Sequence, residues 1–288
     1  MTRVSVVIAT RNRPQPLAAC LRALAESFPE DAETIVVFDG TAVEPGLERF
    51  AEPLRLRCIE APPGGPAAAR NRGLAAASGE VVAFTDDDCV PRPGWPAALA
   101  AGVTSSPPVA AGGKTLNGAP ANAYAECAQL ILDLAGAHDL RRHGPEPRFF
   151  AANNVAFPAD ALRELGGFAE SFRTAEDREL CRRWREAGFT LRSVPDAVVE
   201  HRPALDFRGF VRQCRAYGRG AAQFHAERRG SLQQTVEFHV ELPVALARAT
   251  AGRSALHRCR LLALWAVWEL ANLAGFLSSR RGRGRETG

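Results

Sequence analysis

The chain of 288 residues fits one large α/β domain with an appendage, and its 46% hydrophobic and 24% charged residues supply ample core material. Net charge is only +4, Lys114 is the sole lysine, and no dense basic tract interleaved with aromatics appears before the extreme C-terminus, which argues against a nucleic-acid partner. Seven scattered cysteines without a C-x-x-C pair fit reduced thiols rather than a disulfide scaffold. The first element, VSVVIA from Val4 to Ala9, is a β-branched run that reads as a buried parallel strand. It begins at once, leaving no room for a signal peptide, so a cytoplasmic enzyme or binding protein is expected. Next, PLAACLRALAES carries Leu17, Leu21 and Leu24 at helical spacing. TIVVF ends in Asp39-Gly40, LRLRCIEA reads as a third strand, and GPAAARNRGLAAASG as a helix closed by Gly79. EVVAF is the next strand. This rhythm predicts an open, mostly parallel α/β sheet, in which ligands bind beyond the carboxyl ends of the strands. Thr10, Arg11, Asp39 and the run Asp86-Asp87-Asp88 then line one edge of one crevice.

Three adjacent aspartates suit neither helix nor strand. If the chain stays extended past Phe84, Asp86 and Asp88 point the same way, roughly 6.6 Å apart. Carboxylates at that spacing share a divalent cation, directly or through a ligand's oxygens, and oxygen ligation suits Mg²⁺ or Mn²⁺. The alternative is a solvated turn in which one aspartate caps the helix around Trp95. Cys89 alongside reads as a half-buried thiol. Further on, Thr174 and Asp177 in TAEDRELCRRW form a T-x-x-D capping pattern, and Glu176 and Asp177 suit a first helical turn. His201 closes the strand-like AVVEH; a lone histidine there is structural by default, although imidazole also binds Mn²⁺-type ions. Beyond Pro203 the chain reads as helical. Phe207, Phe210, Val211 and Cys214 recur at helical spacing with arginines between, a segment to pack beneath a sheet or rest on an anionic surface. Leu261 to Leu277 is apolar on most sides but only about 25 Å long as a helix, and Glu269 and Asn272 are costly in lipid. A buried or dimer-forming helix is expected, with peripheral membrane contact through SSRRGRGR as the alternative and a disordered tail at the end.

Four segments taken together, VSVVIATRNR, VVFDGT, AAARNRGLAAASGEVVAFTDDD and NNVAFPADALRELGGFAESFRTAEDRELCRRWREAG, resemble the family 2 glycosyltransferases of the GT-A fold. Their order and spacing carry the resemblance, over Val4 to His201. It implies a GT-A domain over 1–203, with a nucleotide-binding half at 1–115 and an acceptor and base half at 116–203, followed by a helical region at 204–288. It also implies inverting transfer of a sugar from a nucleotide diphosphate donor, UDP by family frequency, to an unknown acceptor hydroxyl. By the same resemblance, Asp86 and Asp88 match the D-x-D positions that hold ribose and metal, with Asp87 between them in the donor site. Asp39 matches the carboxylate that reads the base, although Phe38 stands where a second aspartate is common. Thr10 and Arg11 match the loop over the base, and Arg70 a position that touches the nucleotide; from the residues alone Arg70 is a solvated helix charge. Trp95, Asn153 and Asn154 match segments that shape the sugar and acceptor side, against a plain reading as core packing and turn chemistry. Glu176-Asp177 occupies the catalytic-base position, with Asp177 taking the acceptor's proton. His201 completes the metal site in several relatives.

A nucleotidyltransferase is the first rival, disfavoured because ATRNRPQP is a poor match to a Gly-rich basic loop. A non-catalytic nucleotide-sugar binder is the second, disfavoured by the joint presence of Asp86, Asp88 and Asp177. Processive relatives carry Q-x-x-R-W and several membrane spans. LCRRW, Leu180 to Trp184, lacks the glutamine, so one sugar per encounter is expected.

Overall fold

The computed structural model describes residues 3–227 and 233–283, with side chains described except at 233–235 and 280–283. They form two compact units, Met1–Gly118 with Glu146–Arg202, and Ala119–Pro145 with Pro203–Gly288. The first is built on a nine-stranded sheet. Its opening half is β1 (Val4–Thr10), α1 (Pro14–Ala25), β2 (Glu33–Asp39), β3 (Leu56–Ala61), α2 (Pro66–Ala76) and β4 (Val81–Asp86). Then come β5 (Cys89–Pro91), α3 (Trp95–Gly102), β6 (Thr104–Ser105) and β7 (Pro108–Asn117). After α4 (Ala123–His143), which belongs to the second unit, the chain returns with β8 (Asn154–Pro158), α5 (Ala159–Glu164), α6 (Glu176–Glu186) and β9 (Thr190–His201).

The strand order is β3-β2-β1-β4-β8-β7-β9-β5, with β6 on β7. β3, β2, β1 and β4 are parallel, as the helix-linked strands of the opening half require. The second half is mixed: β8 runs antiparallel to β4 and β7, β9 parallel to β7, and β5 antiparallel to β9. The α/β class therefore stands, with an all-parallel half preceding the aspartates and a mixed half following them.

Strand alternation sends side chains into two separate cores. Val6, Ile8, Val36 and Phe38 pack with Leu17 and Leu21 of α1 and Trp95 of α3. Val7, Val37 and Phe84 pack on the other face with Ala69 and Leu74 of α2 and Trp184 of α6. Each such side chain, fully buried, contributes roughly 1.5–3 kcal/mol of transfer free energy. Two prolines open α1, where their missing N–H groups cost nothing.

The second unit consists of α4 with α7 (Phe207–Glu227), α8 (Gln233–Ala249) and α9 (Ala255–Arg283). The units do not follow chain order, since α4 lies within the stretch 116–203 expected to form the acceptor and base half. Its Cys127 and Ile131 share a core with Phe210, Leu242, Leu261 and Trp268. Asn122 caps α4, its Oδ1 accepting from the N–H groups of Tyr124 and Ala125 at 3.0 and 3.1 Å. A Cβ on Gly218 of α7 would meet the Asn272 carbonyl, and one on Gly275 of α9 the Arg215 carbonyl, so these glycines let the two helices touch backbone to backbone. α9 is covered on one face only, so the helix expected to be buried or dimer-forming is buried on that face and exposed on the other. Of the expected disordered tail, residues 284–288 lie outside the described residues, while Ser278–Arg283 continue α9.

Candidate active site

The register of the parallel strands brings Ala9 beside Asp86 and Thr10 beside Phe38, so the ends of β1, β2 and β4 share one edge. β4 ends at Asp86, and Asp87 and Asp88 form the turn into β5. The expected extended run through Asp88 is thus corrected: a turn lets three adjacent carboxylates find different partners. Asp87 is buried, accepting from Thr10 Oγ1 at 2.7 Å and Arg13 Nη1 at 2.7 Å. Asp88 is also buried and accepts from the same Arg13 nitrogen at 2.8 Å. Asp86, 32% exposed at its side chain, pairs instead with Arg70 at 2.7 Å. Cys89, expected to be half-buried, is fully buried in the core.

Strand pairing also explains the position of His201. β5 and β9 place Cys89 opposite His201, and the Arg202 N–H donates to the Asp88 carbonyl at 2.8 Å. His201 Nε2 then stands 3.4 Å from Asp88 Oδ1. Burial alone would raise the Asp88 carboxyl, but the hydrogen bond and charge of His201, with Arg13 behind them, hold it at about 2. Burial likewise opposes the imidazolium, and the contact with Asp88 outweighs it, leaving His201 above its ordinary value. For Asp87 burial wins over Arg13 and Thr10, and its carboxyl is raised. Among the described residues, no three of His, Cys, Asp and Glu cluster as a complete metal site. Asp88 and His201 are two protein donors only.

Arg70 links this edge to the second carboxylate pair. Although expected on a solvated face or against a nucleotide, its side chain is buried, with Nη2 on Asp86 Oδ1 and Nη1 on Glu176 Oε1, both at 2.7 Å. Its guanidinium lies 5.6 Å from the ring centroid of Phe168, and its Nε is buried with no hydrogen-bond partner. Asp177, beside Glu176, remains partly exposed at the head of α6. Its Oδ1 accepts from the Arg178 N–H at 2.8 Å and its Oδ2 from the Ala152 N–H at 3.3 Å. Thr174 is not the cap residue of α6, as the T-x-x-D pattern expected. The cap residue is Ala175, left-handed at φ 68°, whose side chain makes no cap hydrogen bond. Burial, then the charge of Glu176, push the Asp177 carboxyl up to about 6, against the pull of the Arg178 N–H and of Arg70.

Asp39 closes the far end. Its Oδ1 accepts from the N–H groups of Gly64 and Gly65 at 2.6 and 3.2 Å, and its Oδ2 from Gly65 at 3.0 Å. Gly65 caps α2 at φ 87°, a conformation for which glycine is suited. Arg11, 59% exposed at its side chain, stands 4.0 Å from Asp39. Phe38 has the opposite strand parity and is buried in the α1 core, so an aspartate there would face away from this edge.

Trp95 and Asn154 are corrected from pocket lining to support. Trp95 is 0% exposed, its indole N–H donates to Asn154 Oδ1 at 2.8 Å, and Asn154 Nδ2 donates to the Ala197 carbonyl at 3.1 Å. Asn153, also buried, accepts from Thr115 Oγ1 at 3.3 Å. Arg13 and the Gly64-Gly65 N–H groups were missed by sequence reasoning. The signal for Arg13 was its place in TRNR, directly before the helix that follows β1.

The family model described as glycosyl transferase family 2 matches residues 5–162. A pre-mycofactocin glycosyltransferase of Mycobacterium tuberculosis is 33% identical over 225 residues, covering 76% of this chain and 47% of that protein. Glycosyltransferase AglE of Haloferax volcanii is 24% identical over 237 residues, covering 76% and 73%. The chain thus spans about half the length of the mycobacterial relatives it matches. Among solved structures, mannosyltransferase PcManGT from Pyrobaculum calidifontis, in complex with GDP-Man and Mn²⁺, superposes with a TM-score of 0.65 at 22% identity, covering 96% of this chain and 87% of that one. GalNAc-T7 with UDP, GalNAc and Mn²⁺ gives 0.58 at 15% identity, covering 84% and 54%. These likenesses show that the chain has the GT-A fold.

Proposed function

The chain belongs to glycosyl transferase family 2, and from that premise we propose that it moves one sugar per encounter from a nucleoside diphosphate donor to an acceptor hydroxyl, with inversion at the anomeric carbon. The observation that carries this reading is the Arg70 bridge. One buried guanidinium holds Asp86, at the donor edge, and Glu176, beside the base, each at 2.7 Å. Carboxylates for the donor and for the acceptor are thereby fixed in one frame, as a single displacement with two partners requires.

In this reading Asp177 Oδ2, held only by the long contact to the Ala152 N–H, takes the proton of the acceptor hydroxyl. The acceptor oxygen forms its bond to the anomeric carbon as the bond to the diphosphate breaks. A carboxylate raised to about 6 is ionised at neutral pH yet basic enough to share that proton. Asp39 and Arg11 are assigned to the base, and Thr10 positions Asp87 beneath the phosphates. Asp88 and His201, an ionised carboxylate and an imidazole 3.4 Å apart, fit two ligands of a Mn²⁺ or Mg²⁺ ion whose remaining ligands come from the donor and water. Such an ion, when bound, supplies counter-charge to the departing diphosphate. Catalysis is assigned to the sheet-bearing unit alone.

UDP is the first nucleotide to test, by family frequency. GDP stands beside it because PcManGT holds GDP-Man. The test is a panel of nucleotide sugars with Mn²⁺, followed by chromatography of the products. Release of nucleoside diphosphate with free or transferred sugar supports the proposal. Turnover of a nucleoside triphosphate and a sugar phosphate to pyrophosphate, with no donor consumed, would refute it.

A further inference from the structure

The second unit carries charge and apolar surface that the catalytic reading does not use. It holds sixteen arginines against nine acids, a net +7, while the sheet-bearing unit is net −3. Arg208, Arg212, Arg215 and Arg219 run along one side of α7, exposed and without an ion pair among the described residues. With Phe207 and Val211 they line a groove of about 440 Å³. On α9, every exposed residue from Ala263 to Leu277 is apolar, and Arg260 is the only exposed charge between Leu256 and Leu277. Leu270 and Leu273 are 70% and 53% exposed, and Val240 on α8 is 70% exposed with Val236 and Val244 one turn to either side. A helix at an ordinary protein–water boundary turns charge outward. These helices turn leucine and valine outward, the mark of an interaction surface.

The opposite face of α9 fixes how such a surface is used. Leu261, Leu264, Trp268 and Ala271 are buried in the unit's own core, and Gly275 meets the α7 backbone. Glu269 is engaged by His239 at 2.8 Å and by the Trp265 indole N–H at 3.2 Å. Ala255–Ser279, with mean hydropathy 1.5, has the length and composition to cross a bilayer, but crossing would strip these contacts. Lying flat exposes the apolar face to lipid and keeps them all. A second copy of the chain meets a charge problem, because two such units would each bring a net +7 and several of the unit's nine acids are already held in ion pairs. Glu126 pairs with Arg253 and His257, Glu237 with Arg142, and Glu241 with His138. None of these is left to meet the α7 arginines of a twin.

We propose that the second unit docks on an anionic lipid bilayer, with α9 in the plane of the membrane, its outward leucines and the α8 valines in the interfacial layer, and the α7 arginine row on lipid phosphates. The test is flotation of the full chain with phosphatidylcholine vesicles, with and without phosphatidylglycerol. Binding is expected only with the anionic lipid, and is expected to weaken as salt rises. Arg212→Gln and Arg215→Gln each lower the affinity about fivefold. Leu270→Asp with Leu273→Asp abolishes flotation while circular dichroism and donor turnover stay unchanged. A chain that stays unbound on anionic vesicles overturns the proposal, as does binding insensitive to both sets of substitutions. So does a stable dimer by light scattering that the leucine substitutions dissolve in the absence of vesicle binding, since the face then belongs to a second copy.

Discussion

Replacing Arg70 by methionine removes the bridge while keeping the length of the side chain. Glu176, 9% exposed at its side chain, loses its ion pair with Arg70 and remains a buried charge. Breaking such a pair costs about 3–5 kcal/mol, mostly through the stranded partner. The Asp86 pair is one-third exposed and adds at most about 1 kcal/mol. For a unit of this size each kcal/mol lowers Tm by about 2–4 °C, so the variant should melt roughly 6–24 °C lower at neutral pH. The sign with pH follows from the same charges. Loss of the cation removes a pull that lowers the Asp177 carboxyl, which then rises further, so the deficit shrinks as pH falls and Asp177 protonates. Glu176→Gln in the Arg70→Met background should therefore restore a substantial part of the loss, a coupling visible in a double-mutant cycle. Calorimetry of the four proteins at several pH values is the assay. A Tm for Arg70→Met within 2 °C of the parent, or no recovery from the second change, would refute the bridge as the element that holds the two carboxylate sets.

Asp177 has a folded value near 6 against 3.8 unfolded, so the native state binds the extra proton between them. Its contribution to stability is therefore greatest at low pH and declines through that window by up to about 3 kcal/mol, and Asp177→Asn should raise Tm at pH 7–8 but not at pH 4. Turnover should fall below pH about 6, as its base protonates, and pH–rate profiles check this. Asp88, held at about 2, has the opposite sign: its stabilisation is complete above 3.8 and lost between about 4 and 2, so Asp88→Asn should flatten the acid limb of an unfolding curve there. Thr10→Val deletes a buried 2.7 Å hydrogen bond to Asp87 and should cost about 1–3 kcal/mol by urea denaturation.

The opening strands and helices were legible because local patterns decided them. β-Branched runs, leucines four residues apart and prolines at a helix start are short-range signals, and the structure places β1 to β4 where they fell. The convergence of Thr10, Asp39 and the aspartates followed from the rule for parallel sheets. What failed was orientation. Whether a chain turns at Asp87 or runs on depends on Arg13 and Thr10, which lie more than seventy residues away, and no local pattern contains that contact. Arg70 looked solvated because its helix neighbours are alanines and arginines, and only the approach of Glu176, 106 residues on, makes its site buried. Trp95 was assigned to the pocket by resemblance, yet its indole finds Asn154 inside the core. How much of the second unit's last helix is covered was not legible for the converse reason. Hydropathy reports how apolar a segment is, and says nothing of which face its neighbours cover.

The central claim is that Asp177 performs the proton transfer of glycosyl transfer. Asp177→Asn keeps the size of the side chain and removes the base, so binding and chemistry are separable in one protein. Titration calorimetry with the donor selected by the panel, in Mn²⁺, is to be paired with nucleoside diphosphate release under the same conditions. The account predicts donor affinity within a few-fold of the parent and release slower by about 10²–10⁴-fold. Release at the parental rate per folded molecule would contradict it.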